Sequence, residues 1–220
     1  MTVPTGMTDG SAKQDMANAS DITVWITQLA HRDPMKRAAA AEALRASAFE
    51  RCFSKCNEWI RDQDFLKLTS KIQAAAPGMK NRPPVSLVVG IAVRPETFER
   101  IRAANGSPRL ADVPPDQDAI EFELHFDAGS NLDILTMRDP AGSGAIARYL
   151  EKFGEGIQQV EVNVIDVDGA TQLLRTRFGL TPIYAATCPG ADGTRVNFFL
   201  VPAAGGTKCL IELVEPAKKR

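Results

Sequence analysis

The segment AIEFELHFD, residues 119–127, sorts its side chains by chemistry. On an extended chain Ile120, Phe122, Leu124 and Phe126 share one face, and Glu121, Glu123, His125 and Asp127 share the other. Several carboxylates cannot sit in a dry core as anions, so the polar face must meet bulk water or a wet cavity. A second strand-like run repeats the pattern. Val160, Val162 and Val164 fall on one face with Gln158, and Gln159, Glu161 and Asn163 fall on the other. If both polar faces line one concavity, Glu123, Glu161 and Asn163 become candidate substrate contacts. His125 lies two steps of ~6.5 Å from Glu121 along the strand, too far to act beside it.

Other chemistry-bearing residues read less distinctively. Arg195 ends the Gly-rich turn PGADGTR and could meet a carboxylate or phosphate, although a plain hairpin turn explains the same residues. Cys52 and Cys56 share a helix face and suit core packing. Cys188 and Cys209 have no base within sequence reach. No phosphate-binding or dinucleotide fingerprint is present.

The elements that position these residues follow from periodicity. Residues 1–20 are small and polar and read as disordered. Residues 21–80 form a helical extension, with Ile22, Trp25, Ile26 and Leu29 on one stripe and Asp33-Pro34 opening a second helix. APGMKNRPP, 76–84, is a linker by composition. Beyond it, VSLVVGIAV is an apolar strand, PETFERIRAANG a helix, and AIEFELHF with NLDILTM a hairpin. After a helix at 143–153 the order recurs. QQVEVNVID is a strand, DGATQLLRTRFG a helix, and LTPIYAAT, RVNFFLV and CLIELVE are three strands. The expected fold class is therefore α+β. Two paired βαβββ modules, 85–137 and 157–215, make a domain over 85–216 behind an all-helical N-terminal extension.

The 26 basic and 27 acidic residues nearly cancel, which gives no pull toward nucleic acid. The N-terminus has no apolar run, and no stretch approaches the roughly 18 apolar residues of a membrane span. Four scattered cysteines in a chain of this size suggest reduced thiols and a cytoplasmic protein.

The segments VVGIAVRP, VPPDQDAIEFEL, IARYLEKFGEGIQQVEVNVIDVDGA, PGADGTRVNFF and CLIELVEP resemble the vicinal-oxygen-chelate, or glyoxalase-fold, superfamily, and within it methylmalonyl-CoA epimerase. The resemblance covers residues 85–215. It implies a divalent metal and two catalytic carboxylates that invert a carbon between a carboxylate and a CoA thioester. The family's metal ligands fall on Val88, Asp133, Gln159 and Glu212. Both histidine positions are thereby changed, to Val88 and Gln159, which leaves Asp133, Gln159 and Glu212 as the candidate metal set. The catalytic carboxylates fall on Glu121 and Glu212. Oxygen donors of this kind suit Mg²⁺ or Ca²⁺ better than a transition metal.

Two functions follow as expectations. One is an isomerase or lyase of the epimerase-like type, acting on a small carboxylate or acyl-CoA-like substrate. The other is a non-catalytic small-molecule-binding protein whose helical extension contacts another protein. The helices serve either as such an interaction or homodimerisation element or as a packing cap.

Overall fold

The computed structural model describes residues 21–53, 57–69, 85–126, 129–203 and 207–217. The expected disorder of 1–20 and the linker 76–84 lie outside these residues. Helix α1 spans 21–28. Asp33 caps α2 (Pro34–Phe53), accepting the Met35 N–H at 2.9 Å, and Pro34 takes the first helical position, where a missing N–H costs nothing. A 3₁₀ turn at Glu58–Arg61 and α3 (Gln63–Lys67) complete the helical region.

The rest is one seven-stranded sheet with its helices. In chain order these are β1 (Leu87–Ala92), α4 (Pro95–Ala104), β2 (Ile120–Phe126), β3 (Ser130–Thr136), α5 (Ala145–Phe153), β4 (Gly156–Asn163), α6 (Val167–Phe178), β5 (Cys188–Pro189), β6 (Arg195–Pro202) and β7 (Lys208–Glu215). The strand order β2-β3-β1-β4-β7-β6-β5 is two like halves joined back to back. β1 pairs parallel with β3 as β4 pairs parallel with β7, and the halves meet in the antiparallel β1–β4 pair. This is the paired-module architecture expected from the repeat.

The β5 edge of the sheet is short. LTPIYAAT is not a strand; Pro182 alone bridges to Phe199, and two-residue β5 takes the edge. Proline lacks the N–H that a continuous ladder needs. In the first module the equivalent segment is tied by one backbone bond, Ala111 N–H to the Glu121 carbonyl at 3.0 Å.

One sheet face carries the core. Val89, Ile91, Leu132, Ile134, Val160, Val162, Ile211 and Leu213 are buried with Phe98 of α4 and Leu174 of α6. Ile26, Leu29, Leu44, Phe53, Trp59 and Phe65 of the helical region belong to the same core. A run of rings, Phe49–Phe53–Trp59–Phe65, continues it with centroids 5.0–5.6 Å apart. Each large side chain fully buried here contributes about 1.5–3 kcal/mol. Polar ties fix the helices in place. Ser130 Oγ donates to Glu42 at 2.6 Å, Asn105 Nδ2 to the Leu29 carbonyl at 2.9 Å, and Asn57 Nδ2 to the Pro202 carbonyl at 2.8 Å.

The expectation of reduced cysteines fails at one pair. Cys52 of α2 and Cys209 of β7 form a disulfide across 157 residues, with Cα atoms 5.8 Å apart. Sequence spacing could not show it, because the two meet only when α2 lies on the sheet. Cys188 is free. Among the described residues no helix is long and apolar enough to cross a membrane.

Cross-linking so distant a pair constrains the unfolded chain, so Cys209→Ala is expected to lower the unfolding free energy by about 2–4 kcal/mol in urea titrations. Alkylation of denatured, unreduced protein checks the pairing; label on Cys52 and Cys209 without prior reduction would refute it.

Candidate functional site

The opposite sheet face forms the floor of a cavity of about 860 Å³. Helix α5 closes one end, with Ile146 and Leu150 packed on Ala92 and Leu135. The rim is closed where the modules touch. Asp192, in the turn Ala191–Gly193, holds Arg109 at 2.5 Å and the Asp112 N–H at 2.9 Å, and Gln117 Nε2 donates to the Pro189 carbonyl at 2.8 Å. Arg109 keeps the Asp192 carboxyl below the usual carboxylate range. Asp192 sits at φ 53°, a left-handed conformation that Asp tolerates better than most residues.

Strand register sets the floor. Glu123 pairs across to Asp133, Asp133 to Gly90 and Gly90 to Gln159, so these four positions form one row from β2 to β4. In the next row Val88 pairs with Glu161, and Glu161 with Glu212. Gly90 lets the Gln159 side chain lie across β1, because a Cβ there would stand 2.4 Å from Gln159 Cγ and 3.2 Å from Leu135 Cδ1.

Simple alternation places Gln158 on the core face, away from Gln159. The structure puts both on the cavity wall. The β1–β4 register shifts between Gly90 and Ile91, so that Gly90 faces Gln159 while Ile91 faces Ile157. Gln158 is the extra residue of a β-bulge, and a bulge breaks the two-residue period and re-aims its side chain. Gln159 Nε2 donates to Glu212 Oε2 at 2.6 Å and to Glu161 Oε1 at 3.2 Å.

The carboxyl groups perturb one another. Burial, then the Glu123 and Asp192 charges, push Glu121 up to about 7. Burial pushes Glu161 up to about 8, against the hydrogen bond from Gln159. Asp133 and Glu212 are raised well above the ordinary carboxylate value, first by burial and then by neighbouring carboxylates.

The structure thus brings Glu121, Glu123, Asp133, Gln159, Glu161 and Glu212 to one cavity. Arg195 and Asn163 are not among its lining residues. Arg195 instead holds Asp168 at 2.5 Å, Thr187 Oγ1 at 2.9 Å and Glu215 at 3.1 Å, and Glu215 caps α6 by accepting the Val167 N–H at 3.0 Å. Asn163 lies at the far end of β4, beside the Ser86 carbonyl. His125 reaches the cavity edge, paired with Glu123 at 3.1 Å. Arg109, Gln117, Arg148, Gln158 and Asp192 also line the cavity and escaped sequence reasoning. The turn PGADGTR was visible, but alternation gave no reason to weigh Asp192 over Arg195.

The proposed metal set fits poorly. Val88 has no donor, and Gln159 turns its amide nitrogen, not its oxygen, into the two glutamates. Among the described residues no group of three or more His, Cys, Asp and Glu side chains is arranged to hold a metal ion.

No family model and no curated protein matches the chain. Solved structures do. Methylmalonyl-CoA epimerase from Mycobacterium tuberculosis is 33% identical over 59% of this chain and 86% of its own, with a TM-score of 0.49. A variant of Streptomyces coelicolor methylmalonyl-CoA epimerase in complex with 2-nitronate-propionyl-CoA is 25% identical over 60% of this chain and 93% of its own, with a TM-score of 0.48.

A raised carboxyl pKa means that the folded protein holds a proton the unfolded chain has lost. Stability is therefore expected to fall as pH rises from the ordinary 4.5 toward about 7 for Glu121 and about 8 for Glu161. Glu161→Gln should flatten part of this decline. Urea unfolding across that range measures it, and a rise in stability over the same window would contradict the burial of these groups.

Proposed function

We propose, from the premise that this chain belongs to the vicinal-oxygen-chelate superfamily and carries its glyoxalase fold, that the cavity moves a proton at a carbon beside a carbonyl. The substrate is a small carboxylate or acyl-CoA-like compound, the class named for the similar epimerase structure with its bound acyl-CoA analogue. The observation that carries the reading is that Glu121 and Glu212, one from each module, line the same cavity.

Their environments suggest a division of labour. Glu121, raised to about 7, is close to half ionised near neutral pH and can accept the α-proton as a carboxylate. Glu212 is more deeply buried and lies beside Glu161 and Glu121, so its carboxyl keeps a proton, against the hydrogen bond from Gln159 Nε2, and can return it to the opposite face. In one turnover the C–H electron pair moves into the enolate as Glu121 gains the proton. The pair returns to carbon as Glu212 gives up its own. Exchange with water resets both groups. A neutral neighbouring carboxyl, such as that of Glu161, can donate a hydrogen bond to the enolate oxygen and so lower the barrier.

Incubation with methylmalonyl-CoA in D₂O, followed by NMR, tests the reading. The wild type is expected to wash deuterium into the α-position, with a rate that climbs as pH rises through about 7 and Glu121 ionises. Glu121→Gln and Glu212→Gln should each slow exchange by about 10²–10⁴-fold. Saturable binding without any exchange would instead favour the non-catalytic binding protein.

A further inference from the structure

The two modules furnish the cavity differently. In each, the strand that runs parallel to a central one carries a carboxyl on the cavity wall, Asp133 on β3 and Glu212 on β7. The residue paired across from Asp133 is Glu123, and the one across from Glu212 is Phe198. Phe199 and Val201 belong to the core, so alternation turns Val196, Phe198 and Leu200 to the other face of β6. The second module therefore sets three apolar residues where β2 of the first sets Glu121, Glu123 and His125. Along β7, Glu212 stands between Leu210 and Val214, which also line the cavity.

The segment after α6 adds to this wall. Ile183 and Tyr184 line the cavity and are 47% and 48% exposed. Two hydrogen bonds fix them there: the Ile183 N–H donates to the Phe198 carbonyl at 2.7 Å, and Asn197 Nδ2 donates to the Tyr184 carbonyl at 3.3 Å. The Tyr184 and Phe198 rings meet edge to face with centroids 5.8 Å apart. A single exposed apolar side chain is ordinary, but a contiguous set on a cavity wall marks a place for an apolar group.

We propose that this wall selects the substrate: the reacting carbon bears a bulky apolar substituent, aromatic or branched, seated among Ile183, Tyr184, Phe198, Leu210 and Val214. The inference rests on the proton-transfer reading, which puts that carbon beside Glu212, the cross-strand neighbour of Phe198. A methyl group is too small to meet all five side chains. A charged substituent would lose its hydration against aliphatic and aromatic carbon.

Isothermal titration of the whole protein with 3-phenylpropionyl-CoA and with propionyl-CoA tests it. The ring is expected to tighten binding about tenfold or more. Sodium 3-phenylpropionate against sodium propionate repeats the comparison without CoA. Phe198→Ala should cut the ratio of the two affinities about fivefold or more, and Tyr184→Ser, at a half-exposed site that carries little folding risk, about threefold. A preference for the ring in neither pair, or a ratio unchanged in both variants, would overturn the proposal. A dimer in solution that Tyr184→Ser dissociates, with no ring preference, would assign the wall to a second copy of the chain and overturn it equally. Deuterium exchange without a ring preference would sink this inference alone, and a ring preference without exchange would sink the proton-transfer reading alone.

Discussion

Glu121, Asp133, Glu161 and Glu212 all face one cavity, and four anions cannot share a partly dry space without protons or a cation to offset them. Every carboxyl in this group is shifted upward, and burial is the first cause in each case. The rest of the structure makes that crowding tolerable. Gln159 lends its amide to two of the four, and the bulge that carries Gln158 onto the wall adds further polar surface. The strain between carboxylates is also what suits the site to proton chemistry, because it holds some of them protonated near neutral pH.

Such a floor needs rigid strands beneath it. The core face of the sheet meets helices α4 and α6 and the N-terminal helices in a single apolar cluster. The N-terminal region is therefore bound into the same fold as the cavity, through the Cys52–Cys209 link, the Ser130–Glu42 bond and the aromatic run from Phe49 to Phe65. Helix α2 lies behind the strands that carry Asp133, Gln159 and Glu212, so the extension acts as a backing layer for the site.

Much of this was legible in the residues. The alternation of AIEFELHF put Glu121 and Glu123 on the cavity face, and Asp33-Pro34, Pro95 and Gly179 marked helix ends where the structure has them. The repeat of modules carried the two-half sheet. The failures share one origin. A Gly-rich turn makes Arg195 read as a substrate contact, yet its position beside Asp168 and Glu215 depends on how α6 packs on β7. Alternation puts Gln158 on the wrong face because it presumes an unbroken ladder.

The sequence by itself determined the kinds of surface: which strands are apolar on one side and acidic on the other, where helices begin and end, and that the pattern occurs twice. These are local properties, written in periods of two and 3.6 residues. Only the tertiary structure decided which acidic residues share a space, that Cys52 pairs with Cys209, and that Gln158 joins Gln159 on one wall. Those outcomes depend on register between strands and on contacts across as many as 157 residues, which no local period encodes.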